Sequence, residues 1–258
     1  MTTDPFTQTK TALLALGGHR VWPLMVTLFG DLAQEEGNTI DGPVLSAIMA
    51  EMDIRPEAVR VALHRLRNDG WIASHKHGRT GHHTLTPASR TETRQASARI
   101  YASPAAATTD WQLVILPDAT TTLRDDMENR GFAALLPRIY LGSSAAIPPK
   151  NALRLNGAPA PLWLREQIAP QMLEAEYTAL LPILKAACDT LKAGALTPMQ
   201  IAVLRCLIVH NWRRIVLRHP DLPRAVLPPD WVGHQCHLRV DTLLSRFARP
   251  ALTHIPPP

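Results

Sequence analysis

The chain has 258 residues, 46% of them apolar and 19% charged, a composition that supports one large or several small packed domains and excludes disorder along its whole length. No run approaches the eighteen or so uninterrupted apolar residues of a membrane span, since Arg205 interrupts the best candidate, 199–209. The net charge of +5 permits a polyanionic partner, and it is unevenly placed: residues 1–53 hold two Lys/Arg against seven Asp/Glu, whereas 54–90 hold seven against two.

The amino terminus offers only Ala12 to Leu16 as an apolar run, too short for an export signal. Cys188, Cys206 and Cys236 are odd in number and far apart, so they suggest neither a disulfide framework nor a zinc motif. A reducing cytoplasm is the expected compartment. Residues 21–34 place Val21, Leu24, Met25, Leu28 and Leu32 at helical spacing. Asp41 and Pro43 open a second short helix carrying Val44, Leu45, Ile48, Met49 and Met52. A third, 56–69, has Val59, Ala62, Leu63 and Leu66 on one face and stops at Gly70.

Two short strands, 71–77 and 82–86, flank a turn with Gly78 and Gly81. Three helices followed by a basic hairpin give the order of a winged helix-turn-helix. Residues 87–107 read as a helix tail and linker. Beyond it, 111–116 is a strand, 120–130 a helix, 132–141 a second apolar run and 153–155 a possible third strand, together a small α+β unit of ferredoxin-like type. The text then turns helical, with Pro170 and Pro182 expected to break or kink a helix reaching Leu191. Thr197-Pro198 opens a helix to about residue 218, the proline-rich stretch 219–231 is an extended loop, and a last helix spans 235–247 before a disordered Pro-Pro-Pro tail. The expected fold is therefore α+β, divided as 1–100 for the winged helix-turn-helix, 101–160 for the middle unit, and 161–258 for a helical dimerisation or effector region.

On the third helix Arg60, His64 and Arg67 recur at i, i+4, i+7, on a face separate from the apolar stripe. Such a helix can lie in a major groove, where arginine meets guanine or phosphate. Arg55 and Arg65 are expected nearer the backbone, and Lys76 and Arg79 on a wing among His75, His77, His82 and His83. A solvated basic face is the bland alternative, and the hairpin argues against it. The histidines invite a metal reading, but strand alternation divides them between faces and no cysteine or carboxylate completes a set; His234, Cys236 and His237 read as a core cysteine between surface histidines. Nucleophile-elbow, Walker, zinc-protease and dinucleotide motifs are missing, so neither an enzyme nor a cofactor is called for.

Thr27-Leu28-Phe29-Gly30-Asp31 and Ala58-Val59-Arg60-Val61-Ala62-Leu63-His64-Arg65-Leu66, closed by Gly70-Trp71, resemble the amino-terminal domain of the PaaX family of bacterial transcriptional repressors. His210-Asn211-Trp212-Arg213-Arg214, the run 217–223 and the run 227–234 are similar to that family's carboxyl segment. His219, His82 and His83 depart from its pattern. The resemblance implies a dimeric repressor of phenylacetate-degradation operons, bound to double-stranded operator DNA and released by phenylacetyl-coenzyme A or another acyl-CoA. The residues offered for that effector are His210, Arg213, Arg214, Arg218 and Trp231: cations at one helix end beside an aromatic and a stiff apolar loop. Capping of the helix end by these arginines, paired with Asp221 and Asp230, is the structural alternative. The rival function is an acyl-CoA-binding protein or enzyme with His210, Arg213 and Asp221 in a pocket and the winged helix as an interaction module.

Overall fold

The computed structural model describes residues 4–17, 20–78, 80–104, 110–169, 171–218 and 222–256. Among them are ten α-helices and two small antiparallel sheets, a mixed α+β chain. No described helix is long and apolar enough to cross a membrane. The chain divides into two compact units, both discontinuous in sequence. One comprises 1–102, 179–214 and 236–258; the other comprises 103–178 and 215–235. This division differs from three consecutive segments, and the helix 198–216 shows why. Its residues 202–212 are buried on every side, and a helix buried all round must have neighbours all round. Most of it belongs to the core of the amino-terminal unit.

The first unit starts with α1 (Pro5–Ala15), capped by the Asp4 carboxylate accepting from the Thr7 amide, with Pro5 at the first helical position. α2 (Val21–Leu32) buries Leu24 through Leu32 without interruption, more than the single face its periodicity promises. β1 (Ile40–Asp41) leads directly into α3 (Gly42–Glu51). The turn to α4 (Pro56–Asn68) is made by Asp53 in the left-handed region at φ 62°, a conformation that a short polar side chain tolerates. α4 buries Val59, Ala62 and Leu66 against α2 and α3, as its stripe requires. At its end Gly70 (φ 71°) completes a Schellman motif: the Trp71 amide donates to Leu66 O at 2.8 Å and the Gly70 amide to Arg67 O at 3.1 Å. The chain is thereby turned from α4 straight into a hairpin.

In that hairpin β2 (Ile72–His77) pairs with β3 (Thr80–Leu85), and β3 also pairs with β1. The pairing extends to His77 and Thr80, closer to the turn than the four-residue connection read from the two glycines allows, and Gly78 supplies a positive φ. α5 (Pro87–Ile100) follows, capped by Thr86, and fills most of the stretch expected as a linker.

In the second unit the sheet order is β5-β6-β4-β7, antiparallel throughout. β4 is Trp111–Ile115, and α6 is Thr121–Asn129. The second apolar run is two strands, β5 (Ala133–Leu136) and β6 (Ile139–Ser143), because Pro137 and Arg138, the latter at φ 68°, make a tight turn inside it. β7 is Leu153–Asn156 and α7 Leu162–Ile168. Val114, Leu116, Met127, Phe132 and Tyr140 form one core, with α6, on one face; Trp111, Leu141, Ala160, Leu164 and Val226 form another, with α7, on the opposite face.

α8 (Gln171–Thr190) carries Pro182 inside it without ending there. α9 (Pro198–Val216) opens on a capping box, the Gln200 amide donating to Thr197 Oγ1 and the Thr197 amide to Gln200 Oε1. The proline-rich stretch is not wholly extended: Arg224–Val226 form a 3-10 turn. α10 (Val232–Arg246) is the last α-helix and starts three residues earlier than its sequence suggested. Pro257 and Pro258 of the expected disordered tail lie outside the described residues, and Ile255 just before them is buried.

Candidate nucleic-acid interface

The outward face of α4 is basic. Arg60, His64 and Arg67 are all exposed along it, with Arg55 exposed at the position that precedes its first turn. Their held geometry is weak: Arg60 meets Glu57 at 3.3 Å with both side chains largely in water, and His64 meets Asn68 at 3.3 Å. Exposed pairs of this kind contribute under about 1 kcal/mol and can be exchanged for phosphate or base contacts. Arg65 is more fixed, pairing with Asp69 at 3.4 Å and lying 5.7 Å over the Trp22 ring, which itself meets Trp71 edge-on at 5.6 Å. Exposed Val61 is the apolar member of the same surface.

Beside this helix the hairpin presents His75, Lys76 and His77 to solvent. Arg79, expected at the wing tip, lies outside the described residues. The other two histidines serve the fold, His83 buried and His82 partly exposed. His82 Nδ1 lies 2.7 Å from Asp41 Oδ1, tying β3 to β1, and buried His83 shares a 2.8 Å hydrogen bond with Ser74 Oγ across the hairpin. Burial lowers the His83 pKa, helped by the positive Arg67 close by and by His82, with Asp41 acting against them. That influence of Arg67 on His83 puts the basic helix face and the hairpin in one electrostatic neighbourhood. Among the described residues no cluster of three metal-ligating side chains occurs.

The five residues offered for an effector fall in both units: His210, Arg213 and Arg214 in the first, Arg218 and Trp231 in the second. His210 is fully buried with Nδ1 3.3 Å from Thr27 Oγ1; Arg214 donates to Gly17 O at 2.7 Å. Arg218 is exposed and pairs with Glu176, and Trp231 is buried edge-on to Tyr177 at 5.8 Å. Asp221, the proposed partner in both the capping and the enzyme readings, lies outside the described residues. Arg213 is the exception in its surroundings. It donates to Thr27 Oγ1 at 3.1 Å and lines a cavity of about 180 Å³ between α2, α5 and α9. Burial pulls its pKa below the ordinary arginine value, with Cys206 and Tyr101 acting in the opposite direction.

The strongest polar construction in the first unit was missed by sequence reasoning. The Asp31 carboxylate, fully buried on α2, accepts from Arg205 Nε at 2.8 Å and Nη2 at 2.7 Å, from Tyr101 Oη at 2.8 Å and from Arg249 Nε at 3.1 Å. Arg205 also donates to Leu244 O and Phe247 O. One carboxylate thus ties α2 to α9, to the end of α5 and to the segment after α10. The available signal was Arg205 itself, a charge in the middle of an apolar run that must find a buried partner.

Comparison with known sequences joins these features to a family. The profile described as PaaX-like protein matches residues 21–88, and the profile described as PaaX-like protein C-terminal domain matches residues 170–256, between them more than half of the chain. The chain belongs to the PaaX family. The first match starts at α2 and runs through α4 and the hairpin; the second holds Arg205, Arg213 and Arg249. A PaaX relative, the transcriptional repressor PaaX of Escherichia coli (strain K12), is 26% identical over 263 residues, covering 90% of this chain and 82% of that protein. Among solved structures, the uncharacterized protein Rv0674 from Mycobacterium tuberculosis is similar over 93% of this chain and 94% of its own, with 20% identity and a TM-score of 0.49.

Proposed function

We propose that this chain is a DNA-binding transcriptional repressor of an aromatic-acid catabolic operon of the phenylacetate type. The observation that carries the reading is the outward face of α4, where Arg60, His64 and Arg67 stand exposed, Arg60 and His64 only loosely held, on a helix that packs against β2 of the hairpin carrying exposed Lys76. Family membership and the printed role of the Escherichia coli relative support it, and they favour a regulator over an enzyme. In this reading α3 and α4 are a helix-turn-helix, α4 enters the major groove, and β2 and β3 are the wing. Arg55 and Arg65 meet phosphates, and Lys76 and Arg79 reach the backbone beyond the groove.

The order β5-β6-β4-β7 supports the ferredoxin-like description of the middle segment, with residues 144–152 standing where a second crossover helix runs in such folds. A cytoplasmic location follows from a DNA target. One winged helix covers few base pairs, so the repressor works as a symmetric dimer on two half-sites, with the carboxyl-terminal segment as its interface. The family resemblance names an acyl-CoA thioester as the releasing effector, acting through its higher affinity for the arrangement that does not bind DNA.

Selection of bound duplexes from a pool of genomic fragments tests the DNA reading, with light scattering of the purified protein at micromolar concentration for the dimer. A discrete two-fold site recovered repeatedly, and a species of twice the chain mass, are expected. Recovery of no common sequence, or a monomer bound one copy per site, contradicts them.

A further inference from the structure

The cavity between α2, α5 and α9 combines three properties. Its walls are largely apolar or small, from Val26, Ala96, Ile100, Val209 and Trp71. Its volume of about 180 Å³ is slightly larger than the roughly 150 Å³ of a dry cavity that accepts a benzene ring. The third is a guanidinium in its lining without a charge to answer it.

Arg213 has five N–H donors and, among the described residues, one hydrogen bond, to the neutral Thr27 hydroxyl. That hydroxyl is itself committed to Pro23 O at 3.0 Å. The carboxylates nearby do not serve Arg213. Asp31, next to the lining residue Gly30, is saturated by Arg205, Arg249 and Tyr101. Glu92, the one carboxylate in the lining, is exposed and makes no ion pair with Arg213. A partly buried cation with unused forked donors beside an aromatic-sized apolar space is complementary to an anion carrying a compact apolar group.

We propose that this cavity is a binding site for a small organic carboxylate with a single ring or a branched alkyl body, its carboxylate paired with the Arg213 guanidinium. An entire coenzyme A thioester exceeds the space, and it brings a neutral carbonyl where the site calls for a negative charge. The ligand touches α2, α5, α9 and Trp71, the residue on which the chain leaves α4 for the hairpin. On the repressor reading this makes it a second effector site, separate from that of the thioester. That consequence rests on the reading, while the binding test contains no DNA, so either can fail alone.

The test is calorimetric titration of the full chain with benzoate and cyclohexanecarboxylate, their neutral amides, and benzoyl-coenzyme A, with tryptophan emission as a second readout through Trp71. At least one acid is expected to bind, at least about tenfold tighter than its amide. Arg213→Met should bring acid and amide to about equal affinity. Ala96→Leu, which fills the space without touching the cation, should abolish binding of both while the protein stays folded. No binding of either acid at millimolar concentration overturns the proposal. So does equal affinity of acid and amide in the unaltered protein, binding insensitive to Ala96→Leu, or binding of the thioester without the acid.

Discussion

Replacing Asp31 by Asn keeps the shape of the side chain but removes the charge on which three other side chains converge. In the native unit the carboxylate accepts four hydrogen bonds, two of them the forked pair from Arg205 at 2.7 and 2.8 Å, and the Arg205 side chain is 4% exposed. The amide can accept at one oxygen only, and its NH₂ group faces a guanidinium. Removing one partner of a buried pair leaves the other charge desolvated, which costs about 3–5 kcal/mol. For a chain of this size that corresponds to a fall in Tm of roughly 6–20 °C. Arg249→Ala acts on the same carboxylate but from a half-exposed position, so solvent screening holds its effect to about 1 kcal/mol. The double variant Asp31→Leu with Arg205→Met should recover most of the loss, since a buried pair exchanged for apolar side chains is often neutral. Urea unfolding followed by far-ultraviolet circular dichroism, with thermal melts, reads all four proteins. If Asp31→Asn unfolds within about 1 kcal/mol of the unaltered chain, the clamp is not what joins α9 to the amino-terminal helices.

Three further outcomes follow from the site and the core. Arg60→Ala should weaken binding to the selected duplex by about 1–3 kcal/mol and relax its sequence preference, whereas Lys76→Ala should weaken selected and scrambled duplexes alike; anisotropy titrations on both separate the two effects. His83 has a lowered folded-state pKa, so below the ordinary value near 6.5 the unfolded chain binds the extra proton first. Stability should therefore fall as pH drops from 6.5 through the folded-state value, and His83→Gln should flatten that part of a urea-midpoint profile. Burial raises the pKa of all three thiols, Cys236 to about 12, and none forms a disulfide. Ellman's reagent should therefore titrate them only as the chain unfolds; prompt reaction of any one in the native protein contradicts its burial.

The amino-terminal helices and hairpin were legible because their signals are local: an apolar stripe at Val59, Ala62 and Leu66, a glycine stop at Gly70, and a basic face left over. Two-residue β1 carries no periodicity to read, and its strand state comes from pairing with His82 and His83. α1 has a cap and proline at Asp4 and Pro5 but little helical periodicity to show it, its buried Phe6, Thr9 and Leu13 being separated by exposed positions. The split of 132–141 was hidden by Arg138, which occupies a left-handed position where glycine or asparagine is the usual marker. Closeness along the chain does not bring the effector residues into one environment, because successive positions on a helix face different neighbours. His210 and Arg213 meet Thr27 of α2, Arg214 meets Gly17, and Arg218 beyond the helix end meets Glu176. Long-range partners such as Asp31 and Arg205, 174 residues apart, leave no local trace except a charge in apolar surroundings.

The central claim, that the basic face of α4 and the hairpin hold DNA, is tested most directly by the salt dependence of affinity for the selected duplex. Each phosphate neutralised contributes about −0.9 to the slope of log K against log salt, so a dimer making at least two such contacts per protomer should give a straight line steeper than about −3. Exchange of Arg60 and Arg67 for Gln should lower affinity throughout and make that line shallower. An affinity that barely changes with salt, or one that these two substitutions leave intact, contradicts the account.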